Sequence, residues 1–175
     1  MKVSSEVEIA CSVAATEAAR RGHEMMTVEH LLYALLLDTD TAKTIERSGG
    51  DVAGIKGELE RILEDEIPEA DDGGMPPAAS NGFRRVLQRA AIHVESSGKA
   101  ELKGYNVVVA MFAEDDSMAV KALEENGVTR LDLVNYISHG VVKDAVDPDD
   151  DDEGTAVESG GEAKSEKNPL EKFTV

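Results

Sequence analysis

The 175-residue sequence carries 36 acidic against 18 basic side chains, a formal net charge of −18, with one cysteine, no tryptophan and 3% aromatic residues. So acidic a balance argues against nucleic acid, whose affinity rests on Lys and Arg neutralising phosphates, and against anionic membrane surfaces. The lone Cys11 excludes an internal disulfide and a cysteine-based zinc site, and the core has to be built from Leu, Val, Ile, Ala and Met.

Ser5-x-x-Glu8 is a capping-box pattern opening a first helix. Val7, Cys11, Ala14, Ala15 and Ala18 keep helical spacing up to Arg20-Arg21, and Gly22 is a stop signal. On that apolar face Cys11 reads as a buried, inert thiol. The N-terminus lacks the basic-then-apolar pattern of a secretion signal, so a cytoplasmic location is expected. Thr27 caps the next helix, and from Val28 to Leu37 the chain is apolar nearly all round apart from Glu29 and His30. Other helices have to surround such a segment. It is too short for a bilayer, which needs about 20 apolar residues.

A third helix is expected from Thr41 to Arg47, stopped by Ser48-Gly49-Gly50. Asp51 caps a fourth, whose stripe is Val52, Ile55, Leu59 and Ile62, closed by Pro68. Residues 69–79 are Asp-, Gly- and Pro-rich and read as a connecting loop. Ser80 or Asn81 opens the fifth helix, Phe83 to Val94, with Arg84, Arg85 and Arg89 in an otherwise acidic protein. Those arginines are either a solvated polar face or a local basic spot for an acidic or carbonyl-bearing partner. A sixth helix, Asn106 to about Ala113, contains Val107-Val108-Val109, which strand propensity alone would favour as β. Two short helices close the series, Ser117 to Glu125 and Thr129 to Ser138, the last with Leu131, Val134 and Ile137 facing inward.

The decision for helix at 107–109 comes from an internal repeat. At an offset of 76 residues Ser4 matches Ser80, Ala14-Ala15 match Ala90-Ala91, Gly22 matches Gly98 and Ala34 matches Ala110. Leu31 to Leu36 then falls on Val107 to Phe112; two residues further on in register, Glu46 matches Glu124 and Gly49 matches Gly127. The expected fold is therefore all-α: two tandem four-helix repeats, 1–68 and 80–143, packed about a pseudo-twofold axis. From 144 to 175 the composition turns acidic and Gly/Ser-rich, which predicts a disordered linker. Leu170, Phe173 and Val175 read as the onset of a further segment.

No catalytic constellation survives inspection. His23-Glu24-x-x-Thr27 has Thr where a His-Glu-x-x-His zinc helix needs its second ligand. His30 is expected to hydrogen-bond inside the core. His23 with a carboxylate such as Glu64 offers at most an adventitious metal contact. There is no phosphate-cradling Gly-rich Lys loop and no Gly-x-Ser-x-Gly elbow. The sequence reads as non-enzymatic, with no catalytic residue, no committed metal ligand and no cofactor of its own. Glu24 and Glu29 flank the start of the central helix, as recognition groups or as plain helix-end electrostatics.

Two long motifs carry a family resemblance. His23-Glu24-x-Met26-Thr27-Val28-Glu29-His30-Leu31-Leu32-x-Ala34-Leu35-Leu36 resembles the first repeat of the Clp N-terminal domain. Arg85-Val86-Leu87-Gln88-Arg89-Ala90, with His93-Val94-x-Ser96-Ser97-Gly98, resembles the second. Arg130-Leu131-Asp132-x-Val134-Asn135-x-Ile137-Ser138-His139-Gly140 is similar to the closing helix of the ClpA type, and Asn168 to Thr174 to the lead-in of an AAA+ ATPase module. The resemblance implies a docking domain of a hexameric unfoldase that feeds the ClpP peptidase. It binds the adaptor ClpS, which delivers N-degron substrates, and touches protein substrates directly. The implied adaptor-binding residues are Glu24, Glu29, Ser80 and Arg85, with side chains outside the core. Ser80 keeps a hydroxyl where the family has Thr, while the Pro76 to Ala79 stretch departs from the pattern. A zinc site associated with the family near the position of His23 is not carried over. ATP and Mg²⁺ belong to modules outside this sequence, and the fragment itself is expected to be monomeric. The alternative is a free-standing adaptor or anti-adaptor of the same fold.

Overall fold

A computed structural model describes residues 1–71 and 75–140. The acidic segment, the last residues of the second repeat and the expected module lead-in lie outside the described residues. Among those described there are eight helices and four two-residue strands. They run β1 (Lys2–Val3), α1 (Ser5–Arg20), β2 (Met25–Met26), α2 (Val28–Leu35), α3 (Thr39–Arg47) and α4 (Val52–Asp65) in the first copy. The second copy follows with β3 (Ala78–Ala79), α5 (Asn81–Ser96), β4 (Glu101–Leu102), α6 (Gly104–Met111), α7 (Met118–Glu125) and α8 (Arg130–His139). The four strands went unseen in the sequence, and Ala78–Ala79 are strand where a loop was expected. Val107 to Val109 lie in helix, as the repeat register required.

Local chemistry fixes the helix starts. Ser4, one residue before the expected cap, accepts the Val7 N–H, and Ser80 accepts that of Phe83 at 3.1 Å. Asp38, Asp51 and Ser117 do the same for α3, α4 and α7. Thr129 and Asp132 exchange bonds as a capping box on α8. At Gly22 and Gly98 the backbone leaves α1 and α5 with φ of 73° and 74°, a left-handed turn that a side chain disfavours. That near-identity is the repeat expressed in dihedral angles.

The pairing of the strands crosses between the copies. β1 runs parallel to β4, with Lys2 opposite Glu101, and β2 runs parallel to β3, with Met25 opposite Ala78. Adding 76 to β1 gives β3, and adding it to β2 gives β4, so each pair is the symmetry mate of the other. Helices cross the boundary as well: α2 packs on α5, α6 and α7, and α3 on α6 and α8. One shared core results. Leu31, Leu32 and Leu35 of α2 meet Val107, Val108 and Met111 of α6 in it, all fully buried.

Two expected faces shift. On α8 the buried residue is Leu133, Val134 and Ile137 only edge the core, and Leu131 is 66% exposed. On α1 Ala10 joins Val7, Ala14 and Ala18 inside, and Cys11 is only partly buried. Burial and the nearby Glu8 carboxylate push the Cys11 thiol up, away from a reactive thiolate.

Candidate docking surface

Three of the four residues implied as a docking site, Glu24, Ser80 and Arg85, lie around the place where β2 meets β3. Glu24 is exposed just before β2; its carbonyl accepts the Ala78 N–H at 3.3 Å, and its own N–H donates to the Pro68 carbonyl. One step on, the Ser80 N–H donates to the Met26 carbonyl at 2.9 Å. The start of α5 then stands against the start of α2: a Cβ added to Gly82 would lie 3.3 Å from Val28 Cγ2. Glu24, Ser80 and Arg85 thus decorate one seam between the copies.

Glu29 does not join them at the surface. It is 6% exposed, and its Oε2 accepts the Ala119 N–H at 2.9 Å, in the first turn of α7. The expectation that its side chain lies outside the core is therefore corrected. The carboxylate sits against unsatisfied N–H groups and the positive end of the α7 dipole, which favours burial over exposure. Removing it leaves a buried amide without a partner, so Glu29→Ala should lower the unfolding free energy by about 1–3 kcal/mol in urea titration, with Glu29→Gln keeping part of the loss.

Arg85 is exposed but engaged. Its Nη2 and Nε donate to Glu114 Oε1 and Oε2 at 2.7 and 2.9 Å, a two-pronged pair, and Arg89 Nη1 reaches the same carboxylate at 3.4 Å. The hydrogen bond from Arg85 holds the Glu114 carboxyl below its ordinary range, against the opposing effect of burial. Arg84 donates to the Ala79 carbonyl and to Asn81 Oδ1. The basic spot is thus a fixed array, each arginine braced by its own chain. Glu114 is the residue that sequence reading missed. The signal was available: at the 76-residue offset it falls on Asp38, another carboxylate at a helix junction.

The histidines form a second buried arrangement. The Thr27 N–H donates to His30 Nδ1 at 2.9 Å, so the proton of the neutral ring sits on Nε2 and is donated to His23 Nδ1, 2.8 Å away. His23 is left with its other N–H for the Leu63 carbonyl. His30 does hydrogen-bond within the core. Burial, with His23 and Arg21 close by, pushes His30 down to about 4; burial likewise lowers His23. Both nitrogens that face each other are thereby committed. Among the described residues no three His, Cys, Asp or Glu side chains gather as a metal site. No described helix is long and apolar enough to cross a membrane.

The comparisons agree with this architecture. Residues 2–126 match the Clp repeat (R) N-terminal domain. A ClpA homolog protein of Fuscovulum blasticum is 39% identical over 98% of this chain, which spans 23% of that protein's length. In structure, the Hsp104 N-terminal domain from Candida albicans superposes with a TM-score of 0.69 at 12% identity, covering 81% of this chain and 95% of that one. A ClpV N-domain solved in complex with a VipB peptide gives 0.62 at 22% identity, over 79% and 86% of the two chains. With its family match over most of its length and the duplicated, strand-exchanged helical fold that the structure displays, this chain belongs to the Clp repeat N-terminal domain family.

Proposed function

We propose that this chain is the adaptor- and substrate-docking domain of a ClpA-type unfoldase, binding ClpS through the seam that carries Glu24, Ser80 and Arg85. The observation behind the reading is the Arg85–Glu114 array. It presents a guanidinium in a fixed orientation, 54% exposed at its side chain, next to a backbone seam that also carries the exposed Glu24. With Nε and one side of Nη2 held by Glu114, the outward Nη1/Nη2 edge is the one preorganised for carbonyls or carboxylates on a folded partner. The match to a ClpA homolog along nearly the whole chain supports the ClpA type, and the ClpV N-domain with its peptide supports docking as the role of such a fold. In this reading the domain is non-catalytic and cytoplasmic. ATP, Mg²⁺, hexamer assembly and contact with ClpP belong to other modules of the longer protein. Glu29 contributes from beneath, by holding α7 in place.

The test is the Kd of purified ClpS for the parent and for Glu24→Ala, Ser80→Thr and Arg85→Ala. Arg85→Ala should weaken binding at least tenfold, about 1.4 kcal/mol, because it removes the exposed guanidinium edge and leaves the Glu114 charge only to the longer contact from Arg89. Glu24→Ala should weaken it less, and Ser80→Thr, which keeps the capping hydroxyl, should not weaken it. A parent chain that ignores ClpS sinks the reading.

A further inference from the structure

The duplication supplies an internal control, since the two copies share one fold and differ in side chains. In the second copy, Arg85 and Arg89 of α5 reach across to Glu114 past the end of α6. At the 76-residue offset the first copy holds Ile9 and Val13 on α1, Asp38 past the end of α2, and Leu37 where the second copy has Ala113. Neither Ile9 nor Val13 can reach a carboxylate with a cation. Where the second copy, with Arg89 beside Ala110 and Ala113, keeps a cavity of about 170 Å³, the first has an open groove of about 380 Å³, lined by Glu6, Ile9, Val13, Ala34, Leu37 and Asp38 among others.

Three features make that groove more than leftover space. Ile9 is 61% exposed and Leu37 52%, two large apolar side chains on opposite walls. The fold does not require them, because the second copy is built with Arg85 and Ala113 at the same places. Asp38 Oδ2 accepts the N–H and the hydroxyl of Thr41, both at 2.9 Å, and among the described residues no cation pairs with it.

We propose that this groove docks a segment of a partner protein bearing an arginine flanked by apolar residues. The incoming guanidinium lies beside Asp38 as that of Arg85 lies beside Glu114, while its apolar neighbours cover Ile9 and Leu37. The chemistry of the occupant is thus read from the second copy, which carries its own. Glu6, on the same wall, adds negative charge, and its Oε2 is held in place by the Gly104 N–H. The surface is distinct from the seam of the adaptor reading, so either can fail alone.

The probe is a fluorescein-labelled twelve-residue peptide with one arginine between leucines, titrated with the full 175-residue chain and read by anisotropy. Its twin has glutamate in place of the arginine. The parent should bind the first peptide at least tenfold more tightly than the twin. Ile9→Arg imports the residue of the second copy and lets an internal guanidinium reach Asp38; it should weaken binding at least tenfold. Asp38→Asn keeps an acceptor for Thr41 and should do the same. Both variants should unfold within a few degrees of the parent by circular dichroism, since the altered groups are exposed or isosteric. The proposal is overturned if the parent ignores the peptide, if the twin binds equally well, or if Ile9→Arg binds as the parent does. Loss of binding on Arg85→Ala with Ile9→Arg unaffected seats the peptide on the seam and overturns it as well.

Discussion

Between pH 6.5 and about 4 the folded domain should lose on the order of 3 kcal/mol of stability through His30 alone. The ring has an ordinary value near 6.5 in the unfolded chain and is pushed down to about 4 in the fold. The unfolded state therefore binds the proton first as pH falls. A group depressed in this way contributes its full stability above 6.5 and loses it progressively towards about 4. The chief cause is burial of the ring, with His23 and Arg21 close by; in addition Nδ1 already accepts the Thr27 N–H, so a second ring proton would set two donors against each other. The second copy identifies the right control. Asn106 occupies the place of His30 there, and its Oδ1 accepts the Lys103 N–H at 2.8 Å. Urea titrations of the parent and of His30→Asn across this range should give unfolding free energies whose difference shifts against the parent by about 3 kcal/mol as pH falls. Carboxylates titrating in the same window act on both proteins and cancel. A pH-independent difference would mean the ring is not the sensor.

Leu35→Ala and Met111→Ala should each cost about 2–5 kcal/mol, the range for large apolar side chains removed from a packed interior. The two positions are symmetry mates, both fully buried and both at the C-terminal ends of the central helices. Because α2 packs on α5, α6 and α7, damage on either side enters the same core. Each variant should unfold in one transition, with coincident midpoints by circular dichroism and by tyrosine fluorescence. Leu37→Ala, on the groove wall, should change stability by less than about 0.5 kcal/mol. A biphasic melt for either core variant would show that the copies unfold separately.

Helix identity and the duplication were legible because apolar periodicity and a 76-residue register reinforce one another. Val107-Val108-Val109 shows the point: propensity favoured strand, and alignment with Leu31-Leu32-Tyr33 decided for helix. The strands were illegible for an equally plain reason. Lys2–Val3 and Ala78–Ala79 carry no alternation at all, being two residues long, and each is defined by a partner more than fifty residues away. Of the implied site, Glu24, Ser80 and Arg85 sit together on the surface, whereas Glu29 is drawn inside by the Ala119 amide. Nothing near position 29 in sequence announces that amide. Whether a carboxylate at a helix start faces solvent or caps another helix depends on long-range packing, which local pattern does not encode.

The reciprocal strand pairing has the geometry of an isologous dimer joined into one chain: where β1 of one half touches β4 of the other, β3 touches β2 in return. In a true homodimer every surface substitution appears twice, so a cation gained on one side is gained on both. Joining the halves through residues 69–79 releases that constraint, and each position becomes two independently heritable choices. Ile9 and Arg85 are such a pair, as are His30 and Asn106. Symmetry is retained in the backbone, where packing needs it, and broken in the side chains, so one small fold presents two unlike faces.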